Sequence, residues 1–248
     1  MSDQSMNHDD VDLNGGHEVS ACYELRIEGP PESGPALRSV IAGLAFDLGS
    51  LDGLVSADVY RPGEGSVNDP YFDHADAPLA ILMLDFTDDE ARAEGLLQCQ
   101  ALKRFGAIEG LSITSAFLRR IAYALEPGAA PPPFTAPISN VVRYRRPHSD
   151  EQAFTTFYLE THPITQQRLP GIGAIHCYLP QQGVDPNGYD DADYVMGNEV
   201  SFDDLAGFNG AMRSEVREEM RAHFRQFPAF TGLLTHDYMQ RERLLGDP

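Results

Sequence analysis

The chain has 248 residues, of which 42% are hydrophobic and 23% are charged, a composition typical of a globular protein. Its 38 acidic and 18 basic residues give a formal net charge of −20, which disfavours nucleic acid and anionic membrane surfaces as partners. Three widely spaced cysteines, Cys22, Cys99 and Cys177, disfavour a disulfide framework or zinc site and favour a reducing, cytoplasmic location, and we expect no signal peptide or membrane span.

The chain is predicted to divide into two similar halves. Residues 1–18 contain five acids and no lysine or arginine, which predicts a disordered tail. Residues 126–138 contain five prolines and no hydrophobic alternation, which predicts a semi-stiff linker. The expected modules are therefore residues 19–125 and residues 139–248.

The same order of elements is predicted in both modules, namely β-α-β-β-α-β, which is the ferredoxin-like pattern. In the first module these elements are residues 22–27, 36–48, 54–60, 79–86, 87–104 and 112–123. In the second module they are residues 140–145, 151–161, 172–178, 194–200, 201–227 and 231–241. Capping sequences at Thr87 and Ser201 mark the expected starts of the second helix of each module.

A short internal match supports duplication. Residues 51–62, LDGLVSADVYRP, align without gaps on residues 169–180, LPGIGAIHCYLP, with identical Leu, Gly, Tyr and Pro. The predicted fold class is therefore α+β, with two tandem ferredoxin-like modules. Their antiparallel sheets are expected to pack face to face within one chain. Such a chain would be a monomeric pseudo-dimer, or a homodimer through other surfaces.

His162 is the first candidate for catalysis. It precedes Pro163 at the predicted end of a helix, where the helix dipole raises the pKa of an imidazole. That position suits a general acid or base, although a histidine that only caps the helix is an equal alternative. Tyr158 lies one turn earlier on the same side of the helix. The 118-residue offset places Leu44 opposite His162, so only the second module would carry the catalytic group.

His176 and Tyr178 are the next candidates, as a catalytic and a substrate-binding residue. Alternation directs them to one face of a strand, while Ile175 and Cys177 suit the face that the helices cover. His176 could be a satisfied polar residue of the sheet interface, or it could pair with Asp58.

On the last strand, Asp237 and Tyr238 are candidate substrate-binding residues, and one of His236 or Asp237 must face a buried side. The loop around His74 contains aspartates but is more typical of a solvated acidic loop than of a metal site. No motif for nucleotide, flavin or zinc is present, so we expect no cofactor and no metal.

The second half, from about residue 141 to residue 243, resembles the EthD-like branch of the dimeric α/β-barrel superfamily. The resemblance lies in the aromatic-rich helix, the stretch His162-Pro163-Ile164, and Leu169-Pro170-Gly171 before the next strand. The proline directly after the histidine departs from the pattern of the branch. The first half resembles the superfamily only in its element order and in the matched segment. The superfamily includes cyclases, decarboxylases, dehydratases, metal-free monooxygenases, haem-handling proteins and accessory proteins.

These features favour cofactor-independent acid–base catalysis, of the lyase, dehydratase, decarboxylase or cyclase type. The expected substrate is a small aromatic or polyketide-like molecule. His162 would transfer the proton, and Tyr158 or Tyr178 would hold the substrate oxygen. The alternatives are an accessory or carrier protein for a hydrophobic small molecule, and a haem-binding protein with His162 or His176 as axial ligand.

Overall fold

The computed structural model describes residues 15–69 and 77–246, which form a mixed α/β fold around an antiparallel barrel. The strands are β1 Gly16–Glu28, β2 Leu54–Pro62, β3 Ala80–Phe86, β4 Ser112–Tyr123, β5 Ile138–Arg145, β6 Ile172–Gln181, β7 Asp190–Asp191, β8 Tyr194–Phe202 and β9 Leu234–Leu245. The helices are α1 Gly34–Leu48, α2 Asp89–Gln98, α3 Glu151–Gln166, α4 Leu205–Met212 and α5 Glu215–Phe224, with 3₁₀ helices at Pro31–Ser33 and Gln100–Ala107. Within these ranges, no helix is both long and apolar enough to cross a membrane.

Eight strands close into a ring in the order β1-β3-β2-β9-β5-β8-β6-β4, and β4 pairs back with β1. Residues 16–123 supply four neighbouring strands, and residues 138–245 supply the other four. Backbone hydrogen bonds join the two sets where β2 meets β9 and where β4 meets β6. The barrel therefore closes within one chain, as predicted. The expected face-to-face sheets are not separate layers, because both pairs of edges are hydrogen-bonded into one continuous sheet.

The predicted ends of the chain and the linker differ in detail from the structure. Residues 1–14 of the predicted tail lie outside the described residues, whereas β1 already begins at Gly16. The linker has no regular secondary structure before β5 begins at Ile138. The short strand β7, in the loop after β6, was not predicted.

Helix α3 continues past the point where it was predicted to end. Pro163 lies inside the helix, which runs to Gln166, so the prediction that His162 marks the helix end is wrong. Proline disfavours a helical conformation in the residue before it. Here tertiary packing overrides that preference, because the helix buries Leu159, His162 and Gln166 on one side.

The second helix of each half is divided. The predicted helix at residues 201–227 is the pair α4 and α5, and α4 is capped by Asp204, whose side chain accepts a hydrogen bond from the Gly207 amide at 2.7 Å. In the first half the cap is Asp88, which accepts from Ala91 at 2.8 Å. The capping boxes therefore located the helix starts but not the capping residues.

Alternation along the strands separates two buried regions. On β6, Ile175 and Cys177 pack in the core under the helices, whereas Tyr178 lies in the cluster inside the barrel. The predicted phase of this strand is confirmed. The space between sheet and helices is filled by apolar side chains in both halves.

The barrel interior is held by ion pairs that cross it. Each of four buried arginines binds a carboxylate, and three of these pairs join residues 16–123 to residues 138–245. They are Arg143 with Glu24 (Nε–Oε2 3.0 Å), Arg26 with Asp237 (2.6 Å), Arg241 with Asp58 (3.0 Å) and, within the first half, Arg120 with Asp85 (2.5 Å). Glu199 also lies inside and accepts a hydrogen bond from Tyr178 at 2.6 Å. The interior is therefore occupied by paired polar groups.

The linker closes one end of this interior. The ring of Phe134 lies 3.9 Å from the Arg241 guanidinium carbon and 4.5 Å from the His176 ring. Arg241 also donates to the backbone carbonyls of Phe134 and Ala136. The linker is thus fixed to the barrel, and both His176 and Arg241 are covered by it.

The first prediction concerns the interior pairs. Glu24→Gln removes the carboxylate that neutralises Arg143, and we expect it to lower the free energy of unfolding by about 3–5 kcal/mol, because a charge is left buried without a partner. Denaturation in urea measures this. The control is Glu219→Gln, which removes the partner of Arg168 in an exposed ion pair and should cost less than about 1 kcal/mol. Equal losses in the two variants would contradict a stabilising role for the interior pair.

Candidate functional site

A cavity of about 360 Å³ lies outside the barrel, between the outer face of β5, β8 and β9 and helices α3 and α5. Its volume is within the ~300–1,000 Å³ range of small-molecule sites. Most of its wall is apolar: Val142, Tyr144, Leu169, Val200, Met220 and Phe224. Polar side chains converge on it from both helices and the sheet: Tyr158, His162, Gln166, Asn198, Arg217 and His236. Such a combination of apolar wall and few polar groups is typical of ligand sites.

His162 and Tyr158, two of the candidate residues from the sequence, both line the cavity. They lie on the same side of α3, with ring centroids 4.6 Å apart. Burial first, and the neighbouring His223, Arg217 and His236 in addition, together lower the pKa of His162 to about 3. The prediction that the helix end raises this pKa is therefore wrong. The imidazole is neutral at neutral pH, and its Nδ1 atom is buried without a hydrogen-bond partner.

His236 provides a second imidazole, held by a carboxylate. Its Nδ1 lies 3.0 Å from Oδ2 of Asp69, and Asp69 also accepts from Arg217 at 3.3 Å. Asp69 is itself buried, although it belongs to the loop that follows β2. A carboxylate on one ring nitrogen fixes the orientation and tautomer of a histidine. This is the arrangement that general bases commonly use.

The loop that carries Asp69 is attached to the second half of the chain. The backbone N–H of Asn68 donates to the side-chain oxygen of Asn209 on α4 at 2.9 Å. The amide nitrogen of Asn209 donates in turn to the carbonyl of Ser66 at 2.9 Å. A residue of the first half is therefore held beside a cavity of the second half.

An amide pair forms the polar end of the cavity near α3. Gln166 donates to the side-chain oxygen of Asn198 at 2.7 Å. Asn198 also donates to the backbone carbonyl of His176 on the neighbouring strand β6 at 3.0 Å. These contacts fix both amides, so they can contribute to orienting a ligand without rearrangement.

The other predicted site residues lie away from this cavity. His176 and Tyr178 are inside the barrel, and burial lowers the pKa of His176 well below its usual value. Asp237 is also inside, paired with Arg26. Tyr238 packs against Phe208, with ring centroids 5.1 Å apart. The structure therefore brings together Tyr158 and His162 but not the predicted set as a whole.

The suggested pair of Asp58 and His176 is not formed. Asp58 instead accepts from Arg241 at 3.0 Å and from Arg243 at 2.6 Å. His176 packs against Phe134. His176 is thus a buried polar residue of the sheet, but it is not the satisfied one that was predicted, because its Nδ1 atom has no hydrogen-bond partner within the described residues.

No cluster of three or more potential metal ligands occurs within residues 15–69 and 77–246. The loop around His74, considered as a weak metal candidate, lies outside the described residues.

No protein-family model matches the chain, and no curated protein matches it. Solved structures do match it over most of its length. An anthrone oxidase-like protein has a TM-score of 0.56 at 12% identity, covering 93% of this chain and 98% of its own. A proposed monooxygenase from Fusobacterium nucleatum has a TM-score of 0.56 at 11% identity, covering 91% of this chain and 94% of its own.

A proposed monooxygenase from Lactobacillus acidophilus has a TM-score of 0.53 at 7% identity, covering 92% of this chain and 95% of its own. These structures belong to the dimeric α/β-barrel superfamily. The chain has the dimeric α/β-barrel fold. At such low identity the likeness concerns the fold alone.

Several residues of this site were missed or left undecided in the sequence: Gln166, Asn198 and Arg217 belong to no motif and were not singled out. His236 was left undecided because the phase of the last strand was unknown. The pairing of β9 with β5 places Asp237 inside the barrel and hence His236 on the cavity side. Asp69 was missed because it lies in a loop with no repeating pattern, far in sequence from the histidine it contacts.

The second prediction concerns the pH dependence of stability. The folded protein keeps His162 neutral down to a pKa of about 3, whereas an unfolded chain takes up a proton near pH ~6.5. Between these values the unfolded state binds the extra proton, so the free energy of unfolding falls as the pH falls. We expect His162→Gln to make this decline shallower between about pH 7 and pH 5, measured by urea denaturation at both.

The control for this experiment is His17→Gln, because His17 is exposed on β1 and lies outside the cavity. It should keep the decline of the unaltered protein. An equally steep decline in His162→Gln would show that His162 is not buried in its neutral form.

Proposed function

We propose that the cavity between α3 and α5 binds a small aromatic or polyketide-like molecule and that the protein transfers a proton to or from it without a cofactor. The observation that carries this proposal is His236 held by Asp69 in the wall of a largely apolar cavity. An apolar wall accepts fused rings, and a carboxylate that holds one ring nitrogen of an imidazole orients the other nitrogen for proton transfer.

The geometry suggests distinct roles for the two histidines. With its Nδ1 bound to Asp69, His236 would act through its other ring nitrogen as the general base. His162, which is neutral, would form a hydrogen bond to a substrate oxygen, and Tyr158 would hold its ring in place. This division revises the earlier hypothesis that His162 transfers the proton, because a group with a pKa of about 3 is a weak base.

The fold neighbours suggest which molecules to test first. One of them is an anthrone oxidase-like protein and another is a proposed monooxygenase. Anthrone is a fused-ring ketone with an acidic C–H group. Removal of that proton leaves an electron-rich anion, which is the same first step that a cofactor-independent lyase or cyclase uses. Oxidation of the anion by molecular oxygen is therefore a second candidate reaction for the same site.

Two non-catalytic functions are kept as alternatives. A carrier would use the apolar wall without the histidines as proton-transfer groups. A haem protein would need an axial imidazole, for which His162 is available in the cavity, whereas His176 is sealed inside the barrel under Phe134. The cavity of about 360 Å³ is at the small end of the ligand-site range, so this site does not fit a group as large as haem.

We also infer that the chain arose by tandem duplication of a ferredoxin-like module and that its second half belongs with the EthD-like branch. The support is that the matched segments fall on β2 and β6, the second strand of each half. A pseudo-dimer of this kind closes its barrel without a second chain, so a homodimer would use other surfaces. The three buried, unpaired cysteines are consistent with a cytoplasmic protein.

The third prediction tests the proton transfer. Anthrone in deuterated buffer under nitrogen exchanges its acidic C–H hydrogens, and proton NMR follows the loss of their signal. We expect the protein to accelerate this exchange, and His236→Gln to lower the catalysed rate about 10²–10⁴-fold, because the general base is removed. Asp69→Asn should give a smaller loss in the same direction.

His17→Gln is the matched control and should leave the exchange rate unchanged. A protein that binds anthrone, seen by fluorescence quenching, but exchanges it no faster than buffer would be a carrier. A Soret absorption band in the purified protein would instead favour haem binding.

A further inference from the structure

Three arginines follow one another along the side of α5 that faces the cavity. Arg217, Arg221 and Arg225 all line it, and they are spaced four residues apart. Residues four apart lie on one face of a helix, separated by about 6 Å along its axis. Arg225 continues the row because it caps α5 with a helical backbone conformation.

The exposure of these arginines increases from the inside to the outside. Arg217 is 8% exposed and lies deep in the cavity beside Asp69. The side chain of Arg221 is 30% exposed, and that of its partner Glu218 is 72% exposed. Arg225 is exposed at the mouth, and it has no ion pair within the described parts of the chain. The row therefore extends from solvent to the His236 pair.

The charged residues of the cavity wall are basic, whereas the chain as a whole is acidic. The protein has 38 acidic and 18 basic residues, yet the wall within the described residues contains three arginines and no carboxylate. Arg217 and Arg221 are paired with Asp69 and Glu218. Arg225 therefore supplies the positive charge at the entrance that attracts an anion.

From this row we infer that the ligand is an amphipathic anion: an aromatic molecule that carries a carboxylate or similar acidic group. Its ring system would lie against Val142, Val200 and Met220, and its acidic group would lie near Arg221 and Arg225. The inference rests on the proposed function, since it names the substrate class of the same cavity. It also specifies an orientation, with the acidic group outward and the reacting atoms inward beside His236 and His162.

The test uses two fluorescent probes that differ only in charge. Anilinonaphthalene sulfonate is an anion, and N-phenyl-naphthylamine is the same molecule without the sulfonate. Their binding to the full-length protein is titrated by fluorescence at low and at high salt. We expect the double variant Arg221→Gln/Arg225→Gln to weaken binding of the anion about five- to tenfold, on the scale of two exposed charge pairs. Binding of the neutral probe should change less than about twofold.

Salt gives an independent readout. Binding of the anionic probe to the unaltered protein should weaken as the salt concentration rises, whereas binding of the neutral probe should not. The control variant Arg168→Gln removes a surface arginine outside the cavity and should affect neither probe. Arg221→Lys/Arg225→Lys keeps the charge and should retain most of the anion binding.

The outcomes separate this inference from the proposed function. If both probes bind in the cavity and the glutamine variant weakens both equally or neither, the anionic ligand class is overturned while the cavity remains a ligand site. If Leu234→Trp, and Met220→Trp as a second blocking variant, displace neither probe although both variants fold, the cavity binds neither probe. That result would overturn the proposed function together with the inference.

Discussion

The ion pairs that cross the barrel interior fix the arrangement of everything outside it. Glu24 and Arg26 on β1 bind Arg143 and Asp237, which belong to the other half of the chain. A shift of β1 by one residue would turn these charges toward the helices and place Tyr23 and Leu25 inside. Buried ion pairs add little net stability relative to apolar residues, but a buried charge without its partner is costly, so a change of register that breaks these pairs is disfavoured. They also fill the interior, which leaves the space under the helices for a ligand.

The two halves use that space differently. In the first half, α1 buries Leu37, Ile41 and Leu44 against the sheet, together with Phe105 from the 3₁₀ helix. In the second half, His162 lies at the position that matches Leu44, and α5 stands far enough from the sheet to leave a cavity. A histidine opposite a leucine, and a last helix that leaves space above the sheet, thus distinguish the cavity of the second half from the packed core of the first.

Much of the fold could be predicted because its signals are local. Strand alternation gave the order of the elements and placed Tyr178 inward and Cys177 outward. The end of α3 was predicted too early because Pro163 is a local signal for the end of a helix. The tertiary packing that keeps the helix intact beyond Pro163 cannot be read from the sequence. Tyr158 and His162 were found because they lie on one helix. Asp69 could not be found, since only the folded chain brings it to His236, 167 residues away.

Asp69 lies in a loop whose residues can be replaced without altering the strands of the barrel. The loop that supplies it lies outside the barrel. Gly63 at its start donates to the carbonyl of Tyr238 on β9, whereas Ser66 and Asn68 are held by Asn209 on α4. Insertions or replacements in this loop can therefore exchange the group beside His236 without disturbing the ion pairs that hold the barrel closed. The first half contributes neither His162 nor His236, but it supplies the loop in which the residue beside His236 can be replaced. A change in the chemistry of the site could therefore be made by substitutions in this one loop.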